Sequence, residues 1–173
     1  INYINTDKER LIYWKNKIDK LEKKTIAIAW QGNPDYSEDH LRSIPLKYFD
    51  NIIKNNKYNF ISLQKNFGSE QINKYNLDNL IHDFSHIIDI KENAFEDTIH
   101  ILNNIDLLIT TDTALAHLAG TMGVKTNLLL SYNPEWRWLI ELNYKCFYPN
   151  LKIFQQKKAN DWEKVFLELQ KTL

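Results

Sequence analysis

Cysteine is nearly absent from this chain of 173 residues: Cys146 is the only one. A lone cysteine rules out an internal disulfide and fits a reducing compartment, so the expected location is cytoplasmic. No apolar run approaches the roughly 20 residues needed to span a bilayer, and no signal peptide is visible. Charge of one sign is lacking too: 22 Lys and Arg balance 22 Asp and Glu. With no block of like charges, no nucleic-acid surface is suggested. There is no Asp-x-Asp pair of the kind that holds a divalent metal. His82 and His86 could share a helix face, but no cysteine or third histidine stands near them, so no metal site is expected. An initiating methionine is also missing; Ile1 opens within helix-forming sequence, which reads as a piece of a longer protein.

Arginine is the most telling scarcity. Of the 22 basic residues, only Arg10, Arg42 and Arg137 are arginine. In a lysine-rich chain, an arginine is worth notice because its planar fork binds bidentately where lysine cannot. Arg10 falls in an exposed helical stretch and reads as ordinary. Arg42 and Arg137 fall beside loops that matter below.

What the chain does contain is alternation. At 43% hydrophobic it can bury one core, and one domain is expected. An amphipathic helix over 6–22 precedes a buried strand, Thr25 to Trp30, stopped by Gly32 and Pro34. Further strands are predicted at Phe60–Leu63, Ile87–Ile90, Asp106–Thr110, Thr126–Leu130 and Leu151–Phe154. Helices are predicted near 45–54, 95–104, 134–142 and 161–173. Strands alternating with helices call for an α/β fold with a doubly wound parallel sheet of about six strands, in order 3-2-1-4-5-6. Residues 1–24 form an amino-terminal linker or packing helix, and 25–173 the sheet domain.

The segment Asp106 to Gly123, DLLITTDTALAHLAGTMG, reads as strand, tight turn and small-residue helix. Thr111 or Asp112 can cap that helix, leaving backbone amides pointing outward as a seat for phosphate. Ligands of such sheets sit beyond the carboxyl ends of the strands. There the sequence places Gln31, Gly32 and Asn33, then Gln64 and Lys65, then Thr111 to Thr113, then Tyr132 and the Trp136-Arg137-Trp138 triplet. His117 can equally be a buried histidine, and the two tryptophans can pack on the sheet edge or stack on a base. Arg137 can instead pair with Glu135 or Glu141. Asp35, Glu38, Asp39 and His40 read as a solvated, mobile loop, and Cys146 as packing.

The segments IAIAWQGNP, LRSIPL, ISLQK, DLLITTDTALAHLAGTMGVKT, NPEWRW, FYPNLKIFQQ and DW, in this order, resemble the carboxyl-terminal half of heptosyltransferase-like glycosyltransferases. The branch is the one often fused to tetratricopeptide repeats in bacteria. The resemblance runs from Thr25 to the end. It implies a GT-B architecture, with a nucleotide-sugar donor held by a Rossmann-like domain. It further implies that Thr113, Ala114 and His117 line the donor diphosphate, and that Asp112 orients the turn or contacts the sugar. Gln31, Gly32 and Asn33 would form the other wall, Arg42 would neutralise the diphosphate, and Gln64 would lie near base or ribose. Arg137 completes the donor-binding set. The implied chemistry is inverting, metal-independent transfer without a cofactor, to an unknown glycan, lipid or protein acceptor. No segment here matches the amino-terminal half that carries the base and acceptor site, so this piece alone is expected to bind donor and not complete a transfer. The alternative is a non-catalytic nucleotide- or protein-binding module beside a repeat array. A nucleotide-sugar epimerase half shares the fold but lacks support in the sequence.

Overall fold

The computed structural model describes residues 6–90, 94–138 and 148–173. Its frame is a six-stranded sheet, every pairing parallel, in order β3-β2-β1-β4-β5-β6. The strands are β1 (Thr25–Ala29), β2 (Asn59–Ser62), β3 (Ile81–Asp83), β4 (Leu107–Thr111), β5 (Thr126–Leu130) and β6 (Leu151–Gln155). Every residue of β1, β4 and β5 is buried, whereas the edge strands β3 and β6 are largely open. That is the signature of a parallel sheet covered on both faces.

The period of two along β1 divides the core. Ile26, Ile28 and Trp30 face a layer built from Phe49 and from Phe166 of α7 (Trp162–Gln170). Ala27 and Ala29 face the other way, where α6 (Ala114–Thr121) brings Leu115 and Ala119. Small residues on both sides let α6 lie close to the sheet. Gly120 makes room for another neighbour: a Cβ there would run into the ring of Tyr148, which precedes β6.

The third strand is misplaced in the sequence prediction. Ile87–Ile90 is not a strand; β3 is Ile81–Asp83, and turns follow it. Within 87–90 only Ile88 is buried, and its cover comes from helices instead. Ile88 packs with Trp14 and Ile18 of α1 (Lys8–Ile18) and with Ile101 of α5 (Glu96–Leu102). Period alone cannot tell a short strand from an apolar turn tucked under a helix. The helix predicted at 45–54 begins as a 3-10 turn, Leu46–Phe49, capped by Pro45, and continues as α3 (Asp50–Lys54). Short helices α2 (Asp39–Arg42) and α4 (Gln71–Lys74) complete the described set. Of the helix predicted at 134–142, only a 3-10 turn at Trp136–Trp138 lies within the described residues. Glu141 and Cys146 lie outside them.

Arg10 is no ordinary surface cation. Its Nη1 donates to Asp97 at 2.9 Å and lies 3.3 Å from Glu96. Trp14 Nε1 donates to the same Asp97 oxygen at 2.9 Å. Asp97 therefore joins α1 to α5 through a buried, charge-assisted node.

Candidate functional site

A cleft of about 450 Å³ opens over the carboxyl ends of the central strands. Gln31, Gly32, Asn33 and Arg42 wall it on the β1 side, and Thr113 and Ala114 at the start of α6. Gln64 follows from the end of β2. Seven of the ten residues expected to bind donor thus converge on one cleft.

Arg42 is held from several directions. Its Nε donates to Asp39 Oδ1 at 2.9 Å, and its Nη1 to the backbone carbonyl of Asp112 at 2.8 Å. The guanidinium carbon lies 4.7 Å from the centre of the Tyr36 ring, a cation–π arrangement. Nη2 keeps no partner among the described residues. It lies against Gly32, where a Cβ would come within 2.8 Å of it and would collide with Asp39 Oδ1. Glycine at 32 is required by this close approach.

Asp39 corrects an expectation. The solvated loop cluster contains a carboxylate only 4% exposed. Ser43 Oγ donates to Asp39 Oδ2 at 2.6 Å and accepts from the Gly32 amide at 3.0 Å. Burying a carboxylate requires such pairing. The sequence did hold a signal: Asp39 and Arg42 stand three apart, the spacing of partners on one helical turn.

The cap of α6 is corrected as well. Neither Thr111 nor Asp112 caps it; Thr113 does, with extended backbone and no side-chain bond. Thr111 Oγ1 donates instead to the carbonyl of Arg42, which ties the β1 loop to the end of β4. Of the first-turn amides of α6, those of Ala114 and Leu115 have no acceptor among the described residues, whereas that of Ala116 donates to the Thr113 carbonyl at 3.0 Å. The free pair lies at the positive end of the helix dipole. Asp112 is buried, and its carboxylate makes no hydrogen bond among the described residues.

His117, Asp112 and Arg137 do not line the cleft. The His117 ring stacks on Trp138, with centroids 4.5 Å apart and planes 11° from parallel. Its Nδ1 lies 3.2 Å from the Tyr148 hydroxyl. Of the two tryptophans, Trp138 is buried packing while Trp136 is 73% exposed. Arg137 Nε pairs with Glu135 at 3.1 Å.

Burial lowers the pKa of His117 from its ordinary 6.5, opposed by Asp112 and reinforced by Arg137. The folded state therefore favours the neutral ring. A histidine whose folded pKa is depressed contributes stability above the unfolded value, and loses it as pH falls below that value. Urea midpoints should thus drop between pH 7 and pH 5, and less steeply in His117→Asn than in wild type. His82, also lowered by burial, should leave a residual slope. Equal slopes in variant and wild type would mean that His117 titrates freely in the fold.

A parallel α/β domain of this strand order with a cleft at the β1–β4 switch defines a Rossmann-like domain. Comparison with solved structures narrows the architecture. A glycosyl transferase family 9 protein from Veillonella parvula DSM 2008 matches with a TM-score of 0.63 at 12% identity, over 96% of this chain and 46% of that one. ADP-heptose lps heptosyltransferase II from E. coli matches with a TM-score of 0.63 at 11% identity, over 98% of this chain and 54% of that one. The wall teichoic acid polymerase TagF matches with a TM-score of 0.51 at 17% identity, over 95% of this chain and 38% of that one. The chain has the fold of one domain of GT-B glycosyltransferases and spans about half the length of the first two. No family model and no curated protein sequence matches it. Among the described residues, no helix is long and apolar enough to cross a membrane.

Proposed function

We propose that this chain is the donor-binding domain of an inverting glycosyltransferase and that it holds the diphosphate of a nucleotide sugar. The observation that carries this reading is the placement of Arg42. Its guanidinium is fixed by Asp39 and by the carbonyl of Asp112, one residue before Thr113, the N-cap of α6 whose side chain makes no capping bond. A guanidinium with one unpaired nitrogen and the free amides of Ala114 and Leu115 on one cleft make a site for an anion.

In inverting transfer an acceptor oxygen attacks the anomeric carbon as its bond to the diphosphate breaks. The electron pair leaves on the phosphate oxygen, and the acceptor proton goes to a base. Arg42 and the α6 amides stabilise that leaving charge, fixed before the reaction begins. The base and the acceptor site belong to a part of the protein outside this chain, such as a covalently linked amino-terminal domain. The donor is a substrate, and no cofactor enters the scheme.

Titration calorimetry of this chain with nucleoside diphosphates, with and without a chelator, tests the reading. Weak binding that survives chelation is expected. Absence of binding to every nucleotide, or binding only when a divalent cation is added, would overturn it.

A further inference from the structure

The same cleft has a second chemistry, on the β2–β3 side of the sheet. Phe67, in the loop after β2, and Phe95, just before α5, both line it. They are 50% and 38% exposed, although water is a poor environment for a phenyl ring. Their backbone setting is unusual. Phe95 has φ 65°, and Phe67 lies between Asn66 at φ 60° and Gly68 at φ 87°. An aromatic residue in the left-handed region is an outlier that the surroundings must enforce, and such outliers gather at ligand sites.

The polar side chains beside these rings are already occupied. Gln64 Oε1 accepts from the amides of Trp30 and Gln31, at 2.9 Å each. Its Nε2 donates to the carbonyls of Gln31 at 3.0 Å and Phe67 at 2.8 Å. Lys65 Nζ donates to the carbonyl of Ile88 at 2.9 Å and to that of Asp89. Gln64, expected from the resemblance to lie near the base, thus has no hydrogen-bonding capacity left to read it. Asn66 remains, and beside it Gln31, whose side chain lies against Gly68 with its Oε1 accepting from Gln71 Nε2 at 3.2 Å.

Resting on the donor reading above, we infer that Phe67 and Phe95 take the nucleotide's base by stacking. Selection then falls on ring area and not on the hydrogen-bonding edge. The diphosphate lies at the β1–β4 switch against Arg42, and the base extends over β2 toward the phenyl rings. Purine nucleotides are preferred to pyrimidine nucleotides, and adenine is barely distinguished from guanine.

Calorimetry with ADP, GDP, CDP, UDP and inorganic pyrophosphate tests this on the wild-type chain and on Phe67→Ala, Phe95→Ala and Asn66→Ala. ADP and GDP should bind within about threefold of each other, and the pyrimidine nucleotides more weakly. Loss of one stacking ring should weaken ADP by about fivefold or more, the lower end of what base–aromatic stacking contributes. Pyrophosphate affinity should stay unchanged in both phenylalanine variants, which also shows that the anion end remains folded. Asn66→Ala should bind ADP like wild type. A tenfold gap between ADP and GDP, or a tenfold loss in Asn66→Ala, would overturn stacking selection in favour of edge reading. ADP affinity unchanged in both phenylalanine variants would remove the base from this end. If neither ADP nor pyrophosphate binds wild type, the donor reading itself fails.

Discussion

Arg42→Ala will bind a nucleoside diphosphate about tenfold to a hundredfold more weakly than wild type, because a charge-assisted hydrogen bond contributes roughly 1.5 to 3 kcal/mol. The loss is not confined to the ligand. Arg42 is the partner of Asp39, whose side chain is 5% exposed, and it ties the β1 loop to the carbonyl of Asp112. Removing it leaves a buried carboxylate with only Ser43, so folding stability should fall as well, by about 1.5 to 3 kcal/mol. Affinity must therefore be measured well below the unfolding midpoint. Arg42→Lys should recover only part of the affinity, since a single ammonium cannot bond Asp39 and Asp112 together while keeping a free edge toward the cleft. Arg10 is a poor control because it joins α1 to α5 through Asp97. Lys171, exposed just after α7, is a better one. Equal affinity in wild type and Arg42→Ala, with both folded, would assign Arg42 to loop structure alone.

The sheet was legible because its signal is local. Thr25–Ala29, Leu107–Thr111 and Thr126–Leu130 are each buried throughout, and such strands read as short apolar runs bounded by polar turns. Handedness and alternation then restrict the order in which they can pair. β3 escaped because only one of its three residues, Ile81, is buried, while Ile88 of the more apolar 87–90 gains its cover from α1 and α5. The site divides along the same line. Glycine, arginine and the strand–turn–helix run are visible in sequence because each has a backbone or charge requirement of its own. Asp39 carried a local signal, with Arg42 three residues on and Ser43 four, whereas the placing of Phe67 and Phe95 on one cleft depends on the fold, and no periodicity announces it. His117 shows the converse: the motif places it one turn into α6, but Trp138 and Tyr148, brought over from β5 and β6, draw its ring to their side.

Gln64→Ala should lower folding stability by about 2 to 4 kcal/mol. The side chain closes four bonds to main-chain groups: two amides on its oxygen, two carbonyls on its nitrogen. One of the amides belongs to Trp30, which is fully buried. Truncation leaves these groups to whatever water can enter, and unpaired buried groups are costly. The same bonds set the end of β1 against the end of β2 and fix the loop that presents Phe67. Chemical denaturation of Gln64→Ala measures the cost. Gln64→Glu tests its cause. A carboxylate can still accept from Trp30 and Gln31, but its second oxygen faces the carbonyls of Gln31 and Phe67, which only a donor can satisfy. Protonation supplies that donor, so the folded pKa of the new carboxyl should be raised above the usual value of about 4.3. A raised folded pKa contributes stability at low pH that is lost as pH rises through it. The deficit of Gln64→Glu relative to wild type should therefore narrow from pH 7 to pH 5, in urea midpoints measured side by side. A deficit independent of pH would show that the Gln64 nitrogen is not held as a donor between those two carbonyls.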